Sequence, residues 1–351
     1  MFDLNALIRP NIRALKPYSS ARSEFVGAAE VFLDANENAF GSPAGDGMNR
    51  YPDPLQTALK AGLAKILNVS PEQIFIGNGS DEAIDLLLRV FCIPGKDEII
   101  ICPPTYGMYR VSADINDVFV KEVPLTLEFQ LDVPAILQSV TELTKIIFIC
   151  SPNNPTGNLM NRDSIVEIAK NFDGLVVVDE AYIHFAEADS IVSEIDSLPN
   201  VVVLQTFSKA WGMAGIRVGI AIAGKEIVGS MNKVKPPYNV SGIAQQVVLD
   251  ALDRRDQFAI WTASAIKERE RMEEKLIGLD LVINVFPSDA NFLLVRVTDA
   301  AAIYRYLIDQ KIVVRDRSNV ELCEGCLRIT IGTPKENDRL IAALRRHAGS
   351  K

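Results

Sequence analysis

From residue 55 onward the chain alternates between two hydrophobic rhythms. LQTALKAGLAKIL (55–67) and EAIDLLLRVF (82–91) place apolar residues at helical spacing, with the short run IFIG (74–77) between them. Other runs are apolar on consecutive positions: EIIIC (98–102), IIFIC (146–150), LVVV (175–178), VVVL (201–204) and VGIAI (218–222). A strand apolar on both faces is covered on both faces, as in a mostly parallel sheet between helices. The pattern predicts an α/β fold with a large domain of that kind.

After about residue 240 the texture changes. Residues 241–277 read as one long or broken helix, followed by strands at 281–286 and 292–297 and a helix at 300–310. Strands at 312–315 and 327–331 and a helix from Pro334 close the chain. That is a smaller α+β module. The first 40 residues have little regular pattern and are expected to pack against it. The predicted division is 41–245 for the large domain, with 1–40 and 246–351 forming a discontinuous small one.

Several predicted strands end in polar clusters: Pro103–Tyr106, Ser151–Gly157, Asp179–Tyr182 and Thr206–Lys209. Open α/β sheets bind ligands beyond the carboxyl ends of their strands, so one site built from these clusters is expected.

Composition narrows the function classes. A chain of 351 residues suggests about two domains. The formal charge is −9, from 36 basic and 45 acidic residues, and no long basic run offsets it. Neither nucleic acid nor an anionic membrane is expected as a partner. Five cysteines and two histidines include a lone Cys323-x-x-Cys326 with no second pair, so no metal site is expected and the thiols are read as reduced. No stretch approaches the length of a membrane span, and MFDLNALIRPNI does not resemble a signal peptide. A cytoplasmic location follows as an expectation.

TFSKAWGMAGIRVG is the most informative stretch. Lys209 follows hydroxyl residues at a strand end, with Ser208 and Arg217 beside it as an anion-binding set. A lysine desolvated near cations has a depressed pKa and makes a competent imine-forming nucleophile; the alternative is a solvated loop lysine. Asp179 comes directly after a buried run, where it either caps a helix or faces a cationic ring nitrogen. A lysine imine plus an acid on a pyridinium is the protein half of pyridoxal phosphate chemistry. In GNGSDEAI, Ser80 and Asp81 open a helix that could hold a phosphate on its free N–H groups, or could simply cap it. Asn154 in SPNNPTG is either turn chemistry or an amide aimed at a ligand oxygen.

The ordered set GNGSDE, PTYGMY, SPNNPTGN, VVVDEAY, TFSKAWGMAGIRVG and CLRITIGT resembles the class II, fold type I aminotransferases. LKPYSSAR, LDANENAFGSP and RYPDP are similar to the histidinol-phosphate group of that family. The resemblance runs from Tyr18 to Thr333 and implies residue roles. Lys209 would carry pyridoxal 5′-phosphate as an imine and shuttle a proton, and Asp179 would keep the ring nitrogen protonated. Asn154 and Tyr182 would bond the ring oxygen, and Tyr106 would stack on the ring. Ser80, Asp81, Ser208 and Arg217 would hold the coenzyme phosphate. Tyr51 is similar to a tyrosine that reaches that phosphate from a partner subunit, which implies a homodimer with shared sites.

Arg328 matches the family's carboxylate-binding arginine, and Arg315 looks like the extra arginine of the histidinol-phosphate group. With Tyr18 they would grip the substrate phosphate. Arg315 could instead pair with Asp316 at the surface, Arg317 could take its place in register, and Tyr18 could simply pack the N-terminal segment. The implied activity is ping-pong transfer of an amino group between L-histidinol phosphate and 2-oxoglutarate/glutamate in histidine biosynthesis. Competing expectations are an aromatic amino-acid aminotransferase and a same-fold decarboxylase of a phosphorylated amino acid. A coenzyme-binding regulator would need a basic DNA-binding module, which the sequence lacks.

Overall fold

The computed structural model describes residues 2–18 and 31–349, so Ser19–Arg22 of the LKPYSSAR motif lie outside the described residues. The first sheet has seven strands: β1 (Ile74–Asn78), β2 (Glu98–Ile101), β3 (Phe119–Glu122), β4 (Thr144–Cys150), β5 (Leu175–Asp179), β6 (Val201–Thr206) and β7 (Val218–Ala223). Their spatial order is β1-β7-β6-β5-β4-β2-β3, and only β7 runs against its neighbours. Along β5, Val176 and Val178 enter one core while Leu175 and Val177 enter the other, on the opposite face. That division explains the consecutive apolar runs, since a strand between two helical layers has no solvent side. β3 is an edge strand with partly exposed residues, and its sequence FVKE carries no apolar run to announce it.

The reversal of β7 shapes the site. Its first residue stands at the same sheet edge where β1 and β6 end, so the connection from Thr206 to Val218 stays at that edge. Ser208, Lys209 and Arg217 all ride on it. At this edge β7 also meets the start of the helix Gly79–Phe91. A Cβ on Gly219 would lie 2.2 Å from the Ser80 nitrogen, so only glycine fits the crossing.

The N-terminal segment does not pack as expected. Leu4, Ile8 and Ile12 line one face of the short helices Leu4–Leu7 and Pro10–Ala14. They join the core of the large sheet with Phe91, Val228 and Met231, not that of the small sheet. The Arg9 N–H donates to the Val90 carbonyl at 3.0 Å, tying this segment to the helix Gly79–Phe91.

The helix Gly242–Leu252 also belongs to the large body, although 246–252 were expected in the small one. Val248 and Leu252 share a core with Leu59 and Leu63 of the helix Thr57–Leu67. The chain passes to the small body along Arg255–Ile277, whose Met272 and Leu276 join the second core. There β8 (Val282–Val285), β9 (Phe292–Val297), β10 (Arg315–Asp316) and β11 (Cys326–Thr330) form an antiparallel sheet in the order β10-β11-β9-β8. The strand expected at 312–315 is shorter and later than its apolar residues suggested: only Arg315 and Asp316 pair. The helices Ala300–Asp309 and Pro334–Gly349 complete this layer.

Candidate active site

The carboxyl ends of the large sheet and the near edge of the small sheet enclose a cavity of about 630 Å³. Ser80, Asp81, Tyr106, Asn154, Asp179, Tyr182, Ser208, Lys209, Arg217, Arg315 and Arg328 all line it, together with Arg317. Two residues singled out in the sequence do not. Tyr51 is half-exposed and stacks on Tyr238 at 4.5 Å, and Tyr18 is 76% exposed at the edge of the described segment.

Asp179 ends β5 in full burial, and that burial pushes its carboxyl up to about 6. Two donors work in the opposite direction: the Tyr109 hydroxyl donates to Oδ2 at 2.9 Å and the Ala181 N–H to Oδ1 at 3.1 Å. Asp179 caps no helix, because the following 3₁₀ turn Ile183–Phe185 has Tyr182 as its N-cap. Lys209, though its residue is exposed, is held below its ordinary pKa, first by partial desolvation and then by Arg328 and Arg217, with Asp179 opposing. Its Nζ lies 5.5 Å from the centre of the Tyr182 ring. The Asn154 amide nitrogen donates to the Tyr182 hydroxyl at 3.5 Å, and its oxygen accepts from Arg328.

On the large-sheet side lies a cradle of anion-binding character. The side chain of Asn78, the N-cap of Gly79–Phe91, caps none of the first-turn N–H groups; Glu82 accepts from the Asn78 N–H at 2.5 Å and the Arg217 carbonyl from the Gly79 N–H at 2.9 Å, and Ser80 and Asp81 sit inside that turn. Gly79 has φ +72°, and a Cβ there would meet the Arg217 guanidinium at 2.8 Å. Arg217 itself adopts φ +57° and donates to Ser208 Oγ at 3.3 Å and to Asp81 Oδ2 at 3.4 Å. Tyr106 donates to Asp81 Oδ1 at 3.1 Å, which fixes its ring at the mouth of the turn.

The small-sheet side is different in kind. Arg315 and Arg328 are directly opposite each other on β10 and β11. Like charges so placed repel, at a cost of up to about 1 kcal/mol. The Asp316 carboxylate turns instead to Ser318, accepting from its N–H at 2.8 Å and its hydroxyl at 2.6 Å. Among the described residues no ion pair joins Arg315, Arg317 or Arg328 to a carboxylate. Arg328 also lies 5.2 Å over the Phe292 ring.

Tyr109 was not singled out from the sequence. It is fully buried, stacks on Phe148 at 4.8 Å and bonds Asp179. The signal for it was its position just inside the helix Met108–Ile115, whose inward face carries Tyr109, Ser112 and Ala113.

The profile of the family "Aminotransferase class I and II" matches residues 27–344. The chain belongs to the class I and II aminotransferase family. A histidinol-phosphate aminotransferase from Cytophaga hutchinsonii is 54% identical over 344 residues, covering 98% of this chain and 99% of the relative. Among solved aminotransferases, that of Clostridium acetobutylicum, a histidinol-phosphate aminotransferase, superposes with a TM-score of 0.80 at 26% identity. It covers 87% of this chain and 92% of the other. The histidinol-phosphate aminotransferase of Sinorhizobium meliloti, solved in complex with pyridoxal-5′-phosphate, gives 0.79 at 28% identity with 90% of each chain covered. Fold type I architecture, a mostly parallel sheet plus a smaller antiparallel one, is common to this aminotransferase and those neighbours.

Proposed function

We propose that this aminotransferase uses pyridoxal 5′-phosphate to exchange an amino group between L-histidinol phosphate and 2-oxoglutarate, yielding imidazole-acetol phosphate and L-glutamate in histidine biosynthesis. One observation carries the reading. A single cavity is lined on one side by the buried carboxylate of Asp179 and by Lys209, an amine held below its ordinary pKa, and on the other by a cluster of arginines without carboxylate partners.

The residues present fit the coenzyme. Gly79 leaves room where a Cβ would collide with Arg217, and Ser80, Ser208 and Arg217 supply donors for a phosphate at a helix start whose N-cap side chain makes no cap bond. Asp179 would face the ring nitrogen, Tyr106 would stack on the ring, and Asn154 with Tyr182 would bond its oxygen. When bound, the coenzyme supplies an electron sink for the pair left as the substrate C–H bond breaks. Lys209 Nζ would hold the coenzyme at rest and would then move the proton to and from the amine-bearing carbon, a role suited to an amine below its ordinary pKa. Asp179, buried beneath the cavity, would hold a proton on the ring nitrogen and so keep a cation opposite its carboxylate.

The arginines on β10 and β11 bind the substrate's anionic end and must accept both a phosphate and the carboxylate of glutamate. Tyr18 would close on that end. Tyr51, outside its own chain's cavity, would reach the coenzyme phosphate of a second copy, giving a homodimer with shared sites in the cytoplasm. Among the described residues no helix is long and apolar enough to cross a membrane.

Steady-state rates with histidinol phosphate, phenylalanine and threonine phosphate test the assignment. The expected order puts histidinol phosphate first by a wide margin. Preference for phenylalanine would make the enzyme an aromatic aminotransferase, and carbon dioxide release from threonine phosphate would make it a decarboxylase.

A further inference from the structure

The cavity holds one more cation than an anion with two oxygens requires. β10 ends at Asp316, yet the Arg317 N–H still donates to the Cys326 carbonyl at 2.9 Å, so the ladder register continues through it. Side chains two apart on a strand share a face, which puts Arg317 on the cavity side with Arg315 and Asp316 on the other. Arg328 joins them from β11, directly across from Arg315. Among the described residues, neither Arg317 Nε nor Arg328 Nε, both buried, has a hydrogen-bond partner. Arg317 is held below its ordinary pKa by burial and by its two arginine neighbours. A buried donor without an acceptor beside two like charges is a destabilising arrangement, and it makes physical sense when an anion completes it.

Two amino-group carriers use this site, and their anionic ends differ. A carboxylate is planar, with two oxygens and one charge, and one arginine fork satisfies it. A phosphate monoester has three free oxygens and close to two charges near neutral pH. We propose that Arg317 is a specificity-determining residue that binds the third oxygen and second charge of the phosphorylated substrate, and that it contributes little to binding of glutamate or 2-oxoglutarate. The inference rests on the histidinol-phosphate reading above and assigns one residue to one of its two half-reactions.

Arg317→Gln in the coenzyme-loaded enzyme tests it, with each half-reaction followed separately. The expected result is a KM for histidinol phosphate raised roughly 10- to 100-fold, as for loss of one charge-assisted hydrogen bond, against a change of less than about threefold for glutamate. Arg317→Lys should recover part of the loss, since it restores the charge without the fork. Inorganic phosphate gives a second readout. It should raise the Tm of the wild type and do so much less in Arg317→Gln, while the ligand-free variant melts no lower than wild type because a repulsion has been removed. Equal KM changes for both substrates, or no change for either, would overturn the inference while leaving the substrate assignment intact. A lower ligand-free Tm with unchanged phosphate response would make Arg317 a structural residue and also overturn it. If the wild type does not turn over histidinol phosphate, the parent reading falls and this inference with it.

Discussion

The two walls of the cavity are built on opposite principles. On the large-sheet wall nearly every polar group has a partner from the same chain: Asp179 with Tyr109 and Ala181, Arg217 with Ser208 and Asp81, Tyr106 with Asp81. On the small-sheet wall Arg315, Arg317 and Arg328 crowd one face, and two of their nitrogens are buried without acceptors. The first wall is preorganised and holds what stays in place between turnovers. The second carries unpaired charge and waits for what comes and goes. A group that binds every cycle is best met by cations not already committed to a carboxylate, whereas a resident cofactor is best met by a finished network.

The sharpest way to break this contrast is at the amine. Lys209→Ala should reduce turnover by at least about 10⁴-fold and abolish covalent retention of coenzyme after borohydride reduction. A variant that keeps both would place the chemistry elsewhere. Asp179→Asn should cost less in rate, about 10²- to 10³-fold, and it carries a stability signature. The folded carboxyl titrates at about 6 against an ordinary 3.8, so the coenzyme-free folded chain retains a proton that the unfolded chain has lost. This group's contribution to stability therefore falls as pH rises from about 4 to about 6 and stays low above that, by at most about 3 kcal/mol. Denaturant melts of coenzyme-free Asp179→Asn should show it more stable than wild type at pH 7 and no more stable at pH 4. Greater stability at both pH values would mean that the gain does not come from titration.

On the other wall, Arg315→Ala should raise KM for histidinol phosphate about tenfold and alter that for phenylalanine far less. Equal effects would erase the assignment of that wall to the phosphate and favour the aromatic reading. The smallest effect belongs to Tyr109→Phe. Losing one donor moves the Asp179 carboxyl further upward in the coenzyme-free chain and lowers kcat by about tenfold or less, with KM for both substrates little changed. A KM effect confined to the phosphorylated substrate would show that the two walls are not independent.

The same division governs what could be read in advance. β4, β5, β6 and β7 announce themselves because consecutive Val, Ile and Leu need cover on both faces, and the polar residues that end them became the finished wall. Lys209, Asp179 and Asn154 were found because each stands in a polar cluster that ends a predicted strand, where an open α/β sheet binds its ligand. Tyr109 was missed because an aromatic inside a short helix looks like any core residue until its hydroxyl is seen against Asp179. Short amphipathic helices such as Arg162–Asn171 and Lys225–Val234 went unread, and the edge strand β3 has too little apolar pattern to register. The small wall was half legible. IVVRDRS showed three strand-like apolar residues, but pairing begins only at Arg315, and the choice between Arg315 and Arg317 could not be made until both were seen to share a face. The packing of residues 4–12 on the large sheet was hidden for a related reason. Leu4, Ile8 and Ile12 form a stripe whose target lies far along the chain, and a stripe alone does not name its target.

The crossing at Gly219 has a consequence for how this enzyme can change over generations. A methyl group there would push β7 away from the Ser80 amide, and with it the strand that Arg217 leads into, so one substitution would loosen the coenzyme's phosphate seat without touching a ligand-binding atom. Drift at the arginine-bearing edge can retune which metabolites are accepted, but position 219 offers no such latitude. A descendant of this chain that keeps the crossing has to keep that bare backbone contact with it.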